Sequence, residues 1–176
     1  MTAVSLIEEK GFENFSLHTL AKKLGVTTTS LYNFIESATH LSVEIGKVAI
    51  SQLYESMTMA TGGITDSRYL LMEFAVVYRK FALQHPELYK VMINMPSVHG
   101  KEHLRMILDP MADALKKFSK DGYDNINLLR AYRSMIHGFV SLEITGYFEL
   151  SNVSIDESFI LVVKLFVDSL RGGIEF

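Results

Sequence analysis

Residues 16–41, SLHTLAKKLGVTTTSLYNFIESATHL, decide how the chain reads. Ser16 is suited to cap a helix, because its hydroxyl can accept a backbone N–H that the first turn leaves unpaired. Leu17, Leu20, Ala21 and Leu24 then recur at the spacing of one helical face. Gly25 follows, the residue best suited to a left-handed backbone just past a helix end. Val26 is expected to plug the turn from inside. Thr27 is placed to cap a second helix with Leu31, Phe34 and Ile35 inward and Thr28, Thr29, Ser30, Tyr32 and Asn33 outward. Helix, Gly-containing turn and second helix with short polar residues at its start make a helix-turn-helix. That geometry sets the start of the second helix against base edges in the major groove of DNA.

The stretch resembles the DNA-binding domain of TetR-family transcriptional regulators. Gly11-Phe12, Leu17, Leu20-Ala21, Leu24-Gly25-Val26, Leu31-Tyr32 and Leu41 carry the likeness. The resemblance implies an all-α protein in two parts. Residues 1–46 would form a three-helix DNA reader, with an N-terminus shorter than is usual in the family. Residues 47–176 would form a helical domain for ligand binding and dimerisation. Lys22, Lys23, Thr27, Thr28, Thr29, Ser30, Tyr32 and Asn33 are the expected DNA contacts. Two positions depart from the family pattern. Phe34 stands where a His or Tyr is usual and Ala38 where a Lys is usual; both usual residues hold phosphates, which Phe and Ala do not.

Composition fits this picture in part. The chain has 176 residues, 48% of them hydrophobic, and no cysteine. That allows a sizeable core without disulfides and suits a cytoplasmic location. No signal peptide and no apolar run long enough for a membrane span are evident. The net charge is −3. Lys10, Lys22 and Lys23 face Glu8, Glu9, Glu13, Glu36 and Glu44 within residues 1–46, whereas a DNA reader ordinarily carries a basic footprint.

Beyond the reader the periodicity predicts helices throughout. Residues 3–10 read as the end of a first helix with Val4, Leu6 or Ile7 inward. A long helix over 39–60 turns Leu41, Ile45, Val48, Leu53 and Met57 inward. Asp66 caps a helix over 67–85, and Pro86 opens a short one to residue 94. Residues 95–97 read as a loop, and Asp109-Pro110 as the start of a helix ending near residue 120. Asp124 caps a helix to about Leu150. Ser154, with Glu157 three residues on, opens a last helix to about Leu170, ending at Gly172-Gly173. Residues 81–93 and 135–148 resemble a C-terminal domain of one TetR subgroup, which carries Trp a few residues before a His-Gly pair. Here His137-Gly138 is present, with Arg133 in the Trp position.

Eight of the nine methionines fall between residues 57 and 135. Methionine lines adaptable apolar sites as well as cores. Met72, Tyr78, Met92, Met106, Tyr132, Met135 and His137 are the expected ligand contacts, for an apolar or mixed-polarity small molecule. His99 and His103 match a H-x-x-E-H pattern, but Gly100 and the absence of a third ligand argue against a metal. Glu143 lies in a nearly apolar stretch and needs a partner. Arg130 and Arg133 are too far along the same helix to be one. No nucleophile–base pair or phosphate-cradling loop suggests an enzyme, and no cofactor is expected.

The leading expectation is a homodimeric repressor, released from a double-stranded DNA operator by a small effector. The other is a ligand-binding or interaction module that keeps the fold but binds DNA poorly. Residues 155–170 are apolar nearly all round, so one face of that helix needs a partner chain.

Overall fold

The computed structural model describes residues 2–95, 97–120, 122–149 and 152–170. Nine α-helices are defined there, and no strand occurs among the described residues. They are α1 (Thr2–Lys10), α2 (Leu17–Leu24), α3 (Thr28–Leu31), α4 (Ala38–Thr61), α5 (Ser67–Gln84), α6 (Pro86–Asn94), α7 (Ser97–Leu115), α8 (Gly122–Ile144) and α9 (Ile155–Ser169). Short 3-10 turns follow α1 and α7 at Phe12–Asn14 and Lys116–Phe118.

Two apolar clusters organise the molecule. The smaller holds Leu6, Leu20, Ala21 and Leu31, with Phe15, Leu17, Ile35 and Leu41 against it. The larger begins at Ile7 and Ile45 and runs through α4 to α9. Adjacent residues of α1 thus enter different clusters, as expected from the roughly 100° step of a helix. α4 runs unbroken through residues 46 and 47, between the two parts read from sequence. Val43, Ile45, Gly46, Ala49, Ile50, Leu53 and Met57 are its buried residues, and α5, α6 and α7 pack on this helix.

Ser16, Asp66 and Ser154 cap their helices as predicted. Ser16 and Thr19 make a reciprocal capping box on α2. Asp66 accepts the N–H groups of Arg68 and Tyr69, and Ser154 accepts that of Glu157. Gly25 adopts φ 70°, and the N–H groups of Gly25 and Val26 return to the carbonyls of Lys22 and Ala21. This paired closure satisfies two carbonyls that the helix end leaves unpaired.

Several expectations are corrected. Val26 and Leu24 are exposed, because the closure at Gly25 leads the chain outward. Phe34 is 83% exposed. α3 is a single turn, and residues 32–34 form a further turn, so Ile35 takes the inward place instead. Val48 faces solvent rather than the core. α7 starts at Ser97 and contains Pro110 instead of starting there. Proline inside a helix costs about 3 kcal/mol, which the continuous buried stripe of Ile107, Met111, Ala114 and Leu115 offsets. Asp124 lies within the first turn of α8 and accepts the Lys120 N–H. α8 stops at Ile144 rather than near Leu150, closed by Gly146 at φ 79° in the same paired pattern as α2. The Gly172-Gly173 end lies outside the described residues.

Glu143 finds its partner on another helix. Arg79 of α5 donates to both its carboxylate oxygens, at 2.7 and 2.6 Å, and to Asp156 of α9 at 2.7 Å. The guanidinium also lies 5.0 Å from the Phe159 ring centroid. One side chain therefore ties α5, α8 and α9. The side chains of Arg79 and Glu143 are only 13% and 10% exposed, so removing one partner strands a charge. Glu143→Ala is expected to cost about 3 kcal/mol in urea unfolding, whereas Arg79→Met with Glu143→Leu recovers most of that loss.

Candidate DNA-reading face and ligand cavity

On the reader, the capping hydroxyls are already engaged. Thr27 accepts the Ser30 N–H, and the two hydroxyls lie 2.9 Å apart. Thr29, Tyr32 and Asn33 are exposed, while Thr28 and Ser30 are half-buried. Lys22 is exposed. Lys23 is also exposed, but its Nζ pairs with Glu9 on α1 at 2.5 Å. That bond holds the Glu9 carboxyl below its usual range. Ala38 is exposed at the start of α4, beside the Ser37 cap. The acidic excess of the reader is partly absorbed internally. Glu9 pairs with Lys23, Glu44 with Lys47 at 2.6 Å, and Glu8 contacts His85 at 2.6 Å.

The reader is fastened to the rest through α6. Glu87 accepts the Phe12 N–H at 2.7 Å and pairs with Lys90 at 2.7 Å. Lys90 first, and then the Phe12 N–H, hold its carboxyl below the ordinary value.

The next residues of α6 face a cavity of about 380 Å³ between α5, α6, α7 and α8. Its walls include Tyr78, Met92, Met95, Leu104, Ile107, Met111, Ile136 and His137. This is within the size range of small-molecule sites. Of the residues expected from sequence, Tyr78, Met92 and His137 line it. Tyr132 does not: it is fully buried in the core and its hydroxyl donates to the Leu71 carbonyl. Met72 and Met135 pack against the core, and Met106 lines a separate open groove with Tyr54 and Arg105. Arg130, Arg133 and Ser134, none of them among the ligand contacts expected from sequence, also line the cavity. With His137 they stand at i, i+3, i+4 and i+7, one stripe of α8, and that spacing was the available signal. His103 is half-buried. The His99 side chain lies outside the described residues, and no group of three metal-ligating acids or histidines occurs among those described.

Two of the wall residues, Tyr78 and His137, are linked through buried Tyr89 of α6. The Tyr89 hydroxyl and His137 Nδ1 share a 2.5 Å hydrogen bond, and the Tyr78 ring meets Tyr89 edge-on at 5.8 Å. Burial raises the pKa of both tyrosines. Burial first, and then the Arg133 charge, lower that of His137.

A helix-turn-helix at one end of an all-α chain and a cavity-bearing helical bundle at the other define the class of one-chain regulators. The family described as "Tetracyclin repressor-like, C-terminal domain" matches residues 71–166. The chain belongs to the TetR family and is a transcriptional regulator of TetR type. It is 27% identical over 150 residues to an uncharacterized HTH-type transcriptional regulator of Mycobacterium tuberculosis, covering 82% of this chain and 67% of that protein. An uncharacterized HTH-type transcriptional regulator of Bacillus subtilis is 26% identical over 175 residues, 96% of this chain and 88% of its own. Among solved structures, a single-substitution variant of TetR from Acinetobacter baumannii AYE, in complex with minocycline, superposes with a TM-score of 0.76. The match covers 99% of this chain and 95% of that one, at 15% identity. No described helix is long and apolar enough to cross a membrane.

Because the folded pKa of His137 lies below its ordinary 6.5, the unfolded chain binds its proton more readily. The contribution of neutral His137 to stability is thus full above about pH 6.5 and is lost as pH falls toward the folded value. Arg133→Gln is expected to shift the His137 midpoint upward, toward the ordinary value, in an NMR titration. An unmoved midpoint would show that the guanidinium does not act on this wall.

Proposed function

We propose that the chain is an effector-responsive repressor that acts in the cytoplasm as a homodimer. Residues 1–46 read a double-stranded operator, and residues 47–176 bind a small molecule and dimerise. The observation that carries this reading is the seat of Met95. Its side chain lines the cavity, and its Sδ lies 2.8 Å from where a Cβ on Gly46 of α4 would stand. A ligand that displaces Met95 therefore acts on the helix that leads into the reader. To release DNA, that ligand must bind the non-reading arrangement more tightly. A regulator of the same fold held with minocycline supports a small-molecule role for such a domain.

Dimerisation is proposed through α8 and α9. Phe159, Val163 and Val167 of α9 are buried within the protomer, but Ile160, Leu161 and Leu165 are exposed. Leu142 and Tyr147 expose further apolar surface at the end of α8. A Cβ on Gly138 would meet nothing within 4 Å, which leaves room for a partner helix. Two such helix pairs around a two-fold axis would bury a self-complementary patch and set two readers about 34–36 Å apart, or a multiple of it. Val163 and Phe166 face the protomer's own core, Phe166 against the Tyr132 ring at 5.5 Å. Leu161 and Leu165 are therefore the positions that separate dimerisation from folding. Leu161→Asp with Leu165→Asp is expected to give folded monomers by sedimentation, with operator affinity lost; a folded native monomer at micromolar concentration would refute the interface.

Direct operator binding tests the reading. Genomic fragments selected by the native chain should contain near-palindromes, and Thr28→Ala with Thr29→Ala should flatten the preference among them. Ala38→Lys should add one phosphate contact and steepen log K against log salt by about 0.9. A second reading, a module that keeps the fold but binds DNA weakly, is favoured by exposed Phe34, by Ala38 and by the tying of Lys23 to Glu9. Failure of the native chain and of the Ala38→Lys variant to retain any fragment at low salt would establish that reading instead.

A further inference from the structure

The cavity between α5, α6, α7 and α8 has a charge asymmetry that composition conceals. The chain as a whole carries −3, yet no carboxylate lines this cavity among the described residues. Arg130 and Arg133 do, on the same stripe of α8 as Ser134 and His137. Neither guanidinium forms an ion pair among the described residues, in contrast to Arg79, which is held by two carboxylates. Both arginines are exposed, so they stand at the mouth, while Ile107, Met111 and Ile136 are buried and form the floor.

We propose that the cavity takes an amphipathic anion, with an apolar body on the methionine and isoleucine floor and a single anionic head at Arg130 and Arg133. This rests on the effector-binding reading above and names the chemistry of the effector. The physical case has three parts. A cationic ligand would meet two like charges with no carboxylate to balance them. A neutral apolar ligand would leave both guanidiniums without a new partner. An oxyanion instead meets planar donors whose fork matches a carboxylate or a sulfate. The Arg133 charge also reaches into the wall, where it opposes the burial-driven rise at Tyr78 and adds to the burial-driven fall at His137. The volume, about 380 Å³, lies toward the lower end of the range of small-molecule sites, roughly 300–1,000 Å³, which suits a chain of medium length.

Four probes that share an unbranched ten-carbon chain, used far below their micelle concentrations, test this by calorimetry on the full chain: decanoate, decyl sulfate, decanol and decyltrimethylammonium. Decanoate or decyl sulfate should bind at least about tenfold more tightly than decanol, and the cation most weakly. The stronger of the two anions identifies the head as planar carboxylate or tetrahedral oxyanion. Arg130→Gln with Arg133→Gln should abolish the preference for the anions, weakening them far more than decanol; the paired Lys variant should keep part of it. Equal affinity for decanol and the anions, or anion binding indifferent to the Gln variant, overturns the charge assignment and leaves the effector cavity standing. Binding of none of the four probes overturns the effector reading itself.

Discussion

The burial of α4 is the constraint on which the remaining architecture depends. Its 24 residues span about 36 Å at roughly 1.5 Å per residue, and buried side chains run along it from Val43 to Met57. Its first turns border the reader and its last turns lie in the large core. A helix buried along such a length cannot rotate about its axis without exposing Ile45, Ile50 or Leu53. It can tilt or slide as a unit, because interfaces of packed helices shift more readily than they deform. Under the proposed function, that rigidity is what makes a displacement at Met95 matter at the other end.

The other couplings complement this one. Arg79 braces α5, α8 and α9 around Glu143, so the far wall of the molecule is held by a part-buried ionic cluster instead of by apolar contact alone. Such a cluster adds little net stability over a well-packed apolar substitute. Its geometry is directional, however, and fixes the angle at which α9 lies on α5 and α8. The apolar residues that α9 leaves uncovered, Leu161 and Leu165, thereby occupy a defined face.

Local chemistry was the most legible part of the sequence. Ser16, Gly25, Thr27, Asp66, Pro86 and Ser154 each carry out at helix ends what their side chains or backbone freedom suggest, because caps depend on a few neighbouring residues. Periodicity also placed Ile45, Leu53 and Met57 in the core of α4, though not Val48. It failed where tertiary burial outweighed a local signal, as at Pro110 inside α7, and where a short turn broke the period, as at Phe34. The ligand cavity was half legible. Tyr78, Met92 and His137 line it, but a methionine on a helix gives no sign of whether it faces a void or a packed core, and Met72, Met106 and Met135 show this. The partner of Glu143 lies 64 residues away in sequence and was beyond any local rule. Arg130 and Arg133 were legible as a stripe with His137, once each is measured against the helix face and not against a family consensus.

The nine residues of α6 touch both halves of the molecule: Glu87 holds the Phe12 N–H, while Met92 and Ile93 contribute to the cavity wall. Leu104, Leu108, Arg130 and Arg133 line the same cavity from other helices. The wall is therefore unequal in its freedom to change. Substitutions on α7 and α8 can alter which molecule fits without touching the bond that seats the reader. Substitutions on α6 alter fit and seating together. Under the proposed function, a lineage of such proteins can acquire new chemical inputs along α7 and α8 while its output stays fixed, and α6 is the segment in which that independence ends.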